Sequence, residues 1–197
     1  MGHSQADKEA SHRRIVEITS ARLRAEGLDK PPIGELMREA GLTHGGFYKH
    51  FGSREELVDE AIVRALWDGA RRISDAAGLR RAAGEDPFTG LVAAYLSHQH
   101  RDELASSCAL ATLGADVARS SARTRAAYGN QVESYLRVIE GLVDEPDRPA
   151  RRRRAMLVLS ALVGAVTMAR AVADPELSAE LLELVGQALL DPAEQAE

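Results

Sequence analysis

Residues 41–54 read G-L-T-H-G-G-F-Y-K-H-F-G-S-R, and this stretch decides the fold. It predicts a turn followed by a short helix with Thr43 as the N-cap, because a threonine hydroxyl accepts a hydrogen bond from a backbone N–H of the first turn. Phe47 and Phe51 are four residues apart, so both face one side of the helix. We therefore expect these two rings to anchor the helix to a hydrophobic core.

A second side of this helix is polar, partly cationic and flat. His44 and Tyr48 lie four residues apart on it, with Lys49 beside them. Gly45 and Gly46 add no bulk, although each glycine inside a helix costs about 1 kcal/mol relative to alanine. Close approach of the backbone to another surface is the usual reason for accepting that cost.

The preceding segment, Ile33 to Ala40, has apolar residues at helical spacing. Gly41 and Leu42 then form a tight turn between two helices, and Leu42 is its one apolar residue. A helix, a short glycine-containing turn and a second helix form the helix-turn-helix signature. In that motif the second helix enters the DNA major groove, while the first crosses the backbone.

The run A-G-L-T-H-G-G-F-Y-K-H-F-G-S-R-E-E-L, residues 40–57, resembles the TetR family of bacterial transcription regulators. A weaker resemblance extends back to Arg13. It implies an all-α homodimer with a helix-turn-helix, three-helix DNA-binding head at 11–56 and a helical ligand-binding and dimerisation body at 57–191. Pro32 departs from the family, whose members usually carry a Ser or Thr there that caps helix 2 and touches a phosphate.

The predicted partner of the head is double-stranded operator DNA. We expect Tyr48, Lys49 and His50 to contact phosphates and Arg54 to act at the start of the next helix. The predicted DNA-binding residues are Thr43, His44, Gly45, Tyr48, Lys49, His50 and Arg54.

Base readout is expected from the N-terminal end of the same helix. Thr43 and His44 lie there, and the exposed backbone around Gly45 leaves room for a thymine methyl group. Long hydrogen-bond donors are few, so we expect part of the specificity to come from DNA shape.

The composition is that of a globular helical chain. Of the 197 residues, 45% are hydrophobic, 28% are charged and only 4% are aromatic, which fits one or two domains. The N-terminus is polar and shows no signal peptide. A single cysteine excludes an internal disulfide and fits a reducing, cytoplasmic location.

The net charge of −5 alone argues against a nucleic-acid partner, but its distribution matters more. Residues 1–54 carry nine Lys and Arg against seven Asp and Glu, a balance of +2, which leaves −7 for the remainder. An acidic body with a less acidic head suits DNA contact at one end only.

Hydrophobic spacing places the remaining helices. Residues 1–10 are expected to be disordered. The predicted spans are Ser11–Glu26, Ser53 to about Asp75, Pro87–His100, Ala122–Val143 and Ala155–Ala169, followed by a final helix through Leu189; Asp144–Pro149 is predicted to be a loop.

The last two predicted helices are the most apolar. The run 155–169 is shorter than the ~20 residues of a membrane span, so we predict no membrane insertion. A helix that is apolar all round is buried all round. We therefore expect it to pack on its own body and on a second subunit, with two helices per subunit forming a four-helix, two-fold interface.

The basic run Arg151–Arg154 lies at the start of a predicted helix. Acidic residues 144, 145 and 147 are expected to offset its positive charge. The alternative is that this run forms a second DNA-contacting patch.

The family resemblance implies a repressor released by a small-molecule effector that favours a dimer with wrongly spaced heads. The body lining predicts an apolar or aromatic effector, with Tyr95, Cys108, Tyr128 and Met168 as candidate ligand-binding residues. Cys108 is most often a buried core residue, although a redox-sensing role stays open.

No cofactor, metal site or enzymatic activity is predicted. His98 and His100 are two residues apart and do not share a helix face. No catalytic pattern stands out. The rival hypothesis is a constitutive DNA-organising protein, which needs no ligand cavity; an enzyme would need convergent ionisable groups in such a cavity.

Overall fold

The computed structural model describes residues 5–28, 31–82, 84 and 86–191. Helices make up 80% of the structure, and the described residues contain no strand. The α-helices are α1 (Gln5–Glu26), α2 (Ile33–Glu39), α3 (Arg54–Ala82), α4 (Pro87–Tyr95), α5 (His98–Asp102), α6 (Ala109–Val117), α7 (Ala122–Glu140), α8 (Arg148–Ala171) and α9 (Pro175–Leu190); 3₁₀ turns lie at His44–Lys49 and Leu104–Ser106. The predicted all-α fold is confirmed.

The first helix begins earlier than the sequence predicted. Its polar first turns are exposed, but they are helical from Gln5, so the expectation of disorder is wrong for residues 5–10; residues 1–4 lie outside the described part. The Gln5 amide donates to the Glu9 carboxylate at 3.2 Å, an i,i+4 pair that stabilises an exposed helix. The helix ends as predicted, with Gly27 at a φ of 87°.

The predicted single helix 87–100 is divided in two. The Ser97 hydroxyl accepts a hydrogen bond from the His100 N–H at 3.1 Å and donates to the Ala94 carbonyl at 2.9 Å. Serine thereby caps a new helix, α5, instead of continuing α4. The division was not visible in the apolar spacing, because buried residues recur at helical spacing up to Tyr95 and Leu96, directly before the break.

Other helix boundaries also differ. Helix α3 continues to Ala82 rather than ending near Asp75, and α7 ends at Glu140. The predicted loop 144–149 is shortened, because the Asp147 carboxylate accepts from the Ala150 N–H at 2.7 Å and starts α8 at Arg148. A proline in the first helical turn needs no N–H partner, so Pro149 fits inside the helix.

The chain forms two compact units: residues 1–67 with 104–128, and residues 68–103 with 129–197. The first contains the helix-turn-helix segment. The second has a core built around Val92, Tyr135, Ile139 and Leu162, each at most 2% exposed. The functional division into 11–56 and 57–191 stays a prediction.

Arg152 and its partners fix α8 in the second unit. The Arg152 guanidinium forms ion pairs with Glu133 at 2.6 Å and Glu140 at 3.1 Å, both on α7. The offset expected from the acidic residues before α8 is therefore wrong for Arg152: its partners come from another helix. Arg154 instead donates to the Leu189 carbonyl at 2.9 Å, satisfying an orphan acceptor at the end of α9.

Helices α8 and α9 expose a broad apolar face. Helix α8 buries one side, and its other side is open to solvent, so it is not buried all round within one chain. The exposed apolar side chains are Met156, Leu157, Met168, Leu177, Leu184 and Leu190.

Helix α8 is long and apolar enough to cross a membrane, judged by length and composition alone. Its mean hydropathy is 1.4 over an 18-residue window, and 39% of that window is buried. A core helix passes the same test, so one such helix is weak evidence for a membrane span.

Candidate nucleic-acid interface

The 3₁₀ turn His44–Lys49, hereafter the recognition segment, stands on a core of its own unit. Phe47 and Phe51 are 1% and 2% exposed, and their ring centroids lie 5.6 Å apart. They pack among α1, α2 and the start of α3; the other buried members are Ile15, Val16, Leu36, Met37, Ala40 and Leu57. The predicted phenylalanine anchor is confirmed.

The turn before the recognition segment is set by Gly41. Its φ of 72° lies in the left-handed region, where glycine has no Cβ penalty. The Gly41 N–H donates to the Arg38 carbonyl at 3.0 Å, and the Leu42 N–H donates to the Met37 carbonyl at 2.8 Å. This pair of bonds is the Schellman motif. It ends α2 and turns the chain so that Leu42 packs against the core.

The recognition segment is held by its backbone and its apolar anchors. The prediction that the Thr43 hydroxyl caps it is wrong, since that side chain makes no cap bond. The Gly46 N–H donates instead to the Thr43 backbone carbonyl at 2.9 Å. The 3₁₀ form is tighter than an α-helix, and it leaves the Thr43 side chain exposed.

The outer face of the segment is open to solvent. Tyr48 is 75% exposed, and its ring rests edge-on against Phe47 at a centroid distance of 5.2 Å. Thr43, His44, Gly45 and Lys49 are also exposed. A Cβ placed on Gly45 would meet no atom within 4 Å. The protein's own packing therefore does not account for this glycine.

His50 and Arg54 differ from the other five predicted DNA contacts. His50 is half-buried, and its pKa is lowered mainly by that burial, with smaller effects from the charges of His12, Lys8 and Lys49. Arg54 donates from Nη2 to the Leu28 carbonyl at 2.8 Å, which ties the start of α3 to the loop after α1. The structure brings all seven residues into one unit, but only five of them are exposed.

The start of α3 is fixed by the predicted capping box. The Glu56 N–H donates to the Ser53 hydroxyl at 3.2 Å, as expected. The Glu56 carboxylate reaches back one residue further than in the standard box and accepts from the Gly52 N–H at 2.6 Å. Both bonds lock the corner that joins the recognition segment to α3.

His12 is a positioning residue that sequence reasoning missed. Its imidazole stacks on Phe51 at 4.5 Å between centroids, and its Nε2 lies 2.8 Å from the Glu60 carboxylate. One side chain of α1 thus contacts the phenylalanine after the recognition segment and a carboxylate of α3. The pair His12 and Glu60 is separated by 48 residues, so no local sequence pattern predicts it.

Arg22 braces the other side of the head. Its guanidinium pairs with Glu35 and Glu39 of α2, each at 3.0 Å, and with Glu26 of its own helix. These hydrogen bonds raise the pKa of Arg22. The resulting network fixes α1 against α2, the helix that supports the recognition segment.

The four candidate effector residues are distributed over both units. Cys108 is 6% exposed, as expected of a core cysteine, and lies close to Tyr128 in the first unit. The Tyr128 hydroxyl donates to the Leu110 carbonyl at 3.1 Å, and burial raises its pKa. Tyr95 is buried in the second unit, whereas Met168 is 50% exposed on α8. The role of these four residues in effector binding stays a prediction.

The described residues contain no group of three or more metal-ligating side chains.

Sequence comparison identifies the head. The pattern of the family described as bacterial regulatory proteins, tetR family, matches residues 15–61. A helix-turn-helix transcriptional regulator of Haemophilus influenzae is 34% identical over 94 residues, which cover 44% of this chain and 46% of that protein. The alignment thus spans about half the length of this relative.

The fold extends the likeness to the whole chain. A TetR-family regulator from Chloroflexus aurantiacus superposes with a TM-score of 0.76 at 20% identity, covering 95% of this chain and 98% of that one. One from Cytophaga hutchinsonii gives 0.74 at 15% identity over 96% and 97%. The reduced form of NemR from E. coli gives 0.73 at 16% identity over 91% and 96%. The family pattern thus lies on the observed helix-turn-helix segment, and the whole chain shares its fold with solved TetR-family regulators.

Proposed function

We propose that the protein is a repressor that binds a palindromic operator as a homodimer and is released by a small molecule. The observation that carries the DNA-binding part is the outer face of the recognition segment. Gly45 opens onto empty space there, and Tyr48 is 75% exposed. The segment behind this face is anchored by two buried phenylalanines, so it can approach DNA without rearrangement.

The exposed residues divide by chemistry. The Tyr48 hydroxyl and the Lys49 ammonium serve as phosphate donors, which position the protein on the duplex without reading sequence. Thr43 and His44 lie at the leading end and, with the Gly45 backbone, reach base edges. His50, which is half-buried, is the third proposed phosphate donor.

The exposed apolar face of α8 and α9 is the proposed dimer interface. Leu157 is 63% exposed and Leu184 is 54% exposed. A large contiguous apolar surface on a single chain marks an interaction site. Two-fold pairing covers this face and sets the distance between two identical heads. That distance has to match the spacing between the two half-sites of a palindromic operator.

The effector proposal rests on the family resemblance and on the candidate residues Tyr95, Cys108, Tyr128 and Met168. We propose an apolar or aromatic effector that binds the DNA-incompetent dimer more tightly. Linkage then requires operator DNA to weaken effector binding by the same factor by which effector weakens DNA binding, typically about 5- to 150-fold. Equal effector affinity with and without operator would remove the release mechanism.

Selection of binding sites from random DNA tests the operator proposal. The expected product is a palindrome with half-sites one helical turn or a multiple of it apart. The double variant Thr43→Ala/His44→Ala should lose the recovered motif, whereas Arg125→Ala, an exposed residue of α7, should retain it. Recovery of DNA without a shared motif would favour the constitutive DNA-organising alternative.

A further inference from the structure

A cleft of about 290 Å³ lies in the first unit, beside α3 and the first turn of α7. It is lined by Glu60, Val63, Arg64, Trp67 and Arg123. None of these residues belongs to the recognition segment, to the exposed face of α8 and α9, or to the four candidate effector residues. The cleft therefore needs an explanation of its own.

The wall of the cleft is an exposed aromatic surface. Trp67 is 53% exposed and Val63 is 39% exposed, one helical turn apart on α3. The Arg64 guanidinium lies over the indole, with its Cζ 5.6 Å from the ring centroid. A tryptophan so placed presents a large apolar area that a flat molecule can cover.

The lining contains one cation, Arg123, that forms no ion pair with the described residues. The Glu60 carboxylate faces His12 Nε2 at 2.8 Å, and Arg64 pairs with Glu17 at 3.2 Å. Arg123 is exposed, and no ion pair or hydrogen bond of its side chain occurs among the described residues. Its five donors are thus available to a ligand.

A bond network fixes Arg123 at the mouth of the cleft. The adjacent Thr124 is fully buried, and its hydroxyl bonds the Asp59 carboxylate of α3. The Ser121 hydroxyl lies 3.4 Å from the same carboxylate and accepts the Thr124 N–H at 3.1 Å. Asp59 is therefore engaged by these two hydroxyls, and the first turn of α7 is pinned to α3.

We propose that this cleft binds a small planar aromatic carboxylate, with its ring against Trp67 and Val63 and its carboxylate paired to Arg123. Arginine matches a carboxylate with two parallel N–H···O bonds. Ligand pockets start at about 300 Å³, so the volume suits one or two fused rings. This site does not depend on operator binding or release, and it goes beyond the proposed function.

The single tryptophan of the chain is Trp67, so its fluorescence reports occupancy of the cleft directly. The full-length protein is titrated with benzoate and 2-naphthoate, and with benzamide and benzamidine as the neutral and cationic counterparts. We expect a saturable emission change with the two carboxylates. Benzamide should bind about tenfold more weakly, because it lacks the charge-assisted pair.

Two matched variants separate the cleft from the remaining surface. Arg123→Gln should weaken benzoate binding about tenfold, while Arg125→Gln, exposed two residues further along α7, should leave it unchanged. In Trp67→Leu, calorimetry should show weaker naphthoate binding. Tighter binding of benzamidine than of benzoate, or equal benzoate affinity for native protein and Arg123→Gln, would overturn the assignment. If benzoate changes the Trp67 fluorescence but does not change operator affinity, the result supports the cleft as a binding site. That result does not depend on whether a small molecule releases the protein from DNA.

Discussion

Gly69 of α3 lies directly against Tyr135 of α7: a Cβ built on Gly69 would come within 2.6 Å of the Tyr135 hydroxyl oxygen. Tyr135 is 2% exposed, so its ring has little room to move aside. Because Gly69 has no side chain, α3 and α7 can approach each other here, within the second unit.

Gly69→Ala should therefore destabilise the protein. Overpacking costs about 1–3 kcal/mol, which exceeds the ~1 kcal/mol that alanine gains over glycine in a helix. In the Tyr135→Phe background the next contact is 3.7 Å, to the ring carbon, so the same change should become stabilising. Chemical denaturation of the four proteins measures this reversal. Gly78→Ala is the control, since nothing lies within 4 Å of its Cβ; a loss of stability in both backgrounds would contradict the explanation.

The glycine pair of the recognition segment should respond asymmetrically to alanine. A methyl at Gly45 projects into open space, whereas one at Gly46 contacts Met37 Cε at 3.7 Å and Thr43 Oγ1 at 3.6 Å within the protein. Gly45→Ala should keep the fold and weaken operator binding, because the methyl occupies the space offered to DNA. Gly46→Ala is the matched control, and equal operator affinity for the two variants would refute the assignment.

Tyr48→Phe should weaken DNA binding with little change in sequence preference. The variant removes only a hydroxyl that we assign to a phosphate, and the edge contact of the ring with Phe47 is preserved. The expected loss is about 1 kcal/mol, the net value of one hydrogen bond. Affinities for the operator and for single-base variants of it measure both quantities. A changed base preference at unchanged affinity would show that Tyr48 reads bases instead.

The lowered pKa of His50 predicts how the stability of the head depends on pH. Burial favours the neutral imidazole in the folded state, whereas the unfolded chain protonates near the ordinary value of about 6.5. Stability is therefore full above that value. It falls as the pH is lowered toward the folded-state pKa, below which the loss is complete. Unfolding free energies measured across this range should show a smaller acid loss for His50→Gln than for the native protein. An acid loss as large in His50→Gln as in the native protein would contradict the assignment.

Charge on the exposed apolar face should dissociate the dimer. Leu157→Asp and Leu184→Asp place a carboxylate where the single chain is open to solvent, so each monomer still folds. In the dimer the charge is buried without a partner and costs several kcal/mol. Leu182 is unsuitable for this test because it is 3% exposed within its own chain. Sedimentation should show monomers, and unchanged dimers for both variants would move the interface elsewhere.

The sequence by itself determined those features that depend on neighbours along the chain. Phe47 and Phe51 share a face because of helical spacing, Gly41 ends α2 because only glycine enters the left-handed region without penalty, and Ser53 with Glu56 caps α3. These local signals suffice to define the helix-turn-helix, and the family pattern lies on them.

Tertiary structure decided what joins distant residues. Three examples are the contact of His12 with Phe51 and Glu60, the pairing of Arg152 with α7, and the fit of Gly69 against Tyr135. The residues in these contacts are 12 to 66 positions apart and have no periodic signature. The effector residues and the functional division of the chain stay predictions for the same reason. Which side chains meet between two packed helices depends on the angle at which the helices cross and on the shapes of the side chains. The spacing of residues along one helix does not predict which side chains of the neighbouring helix they contact.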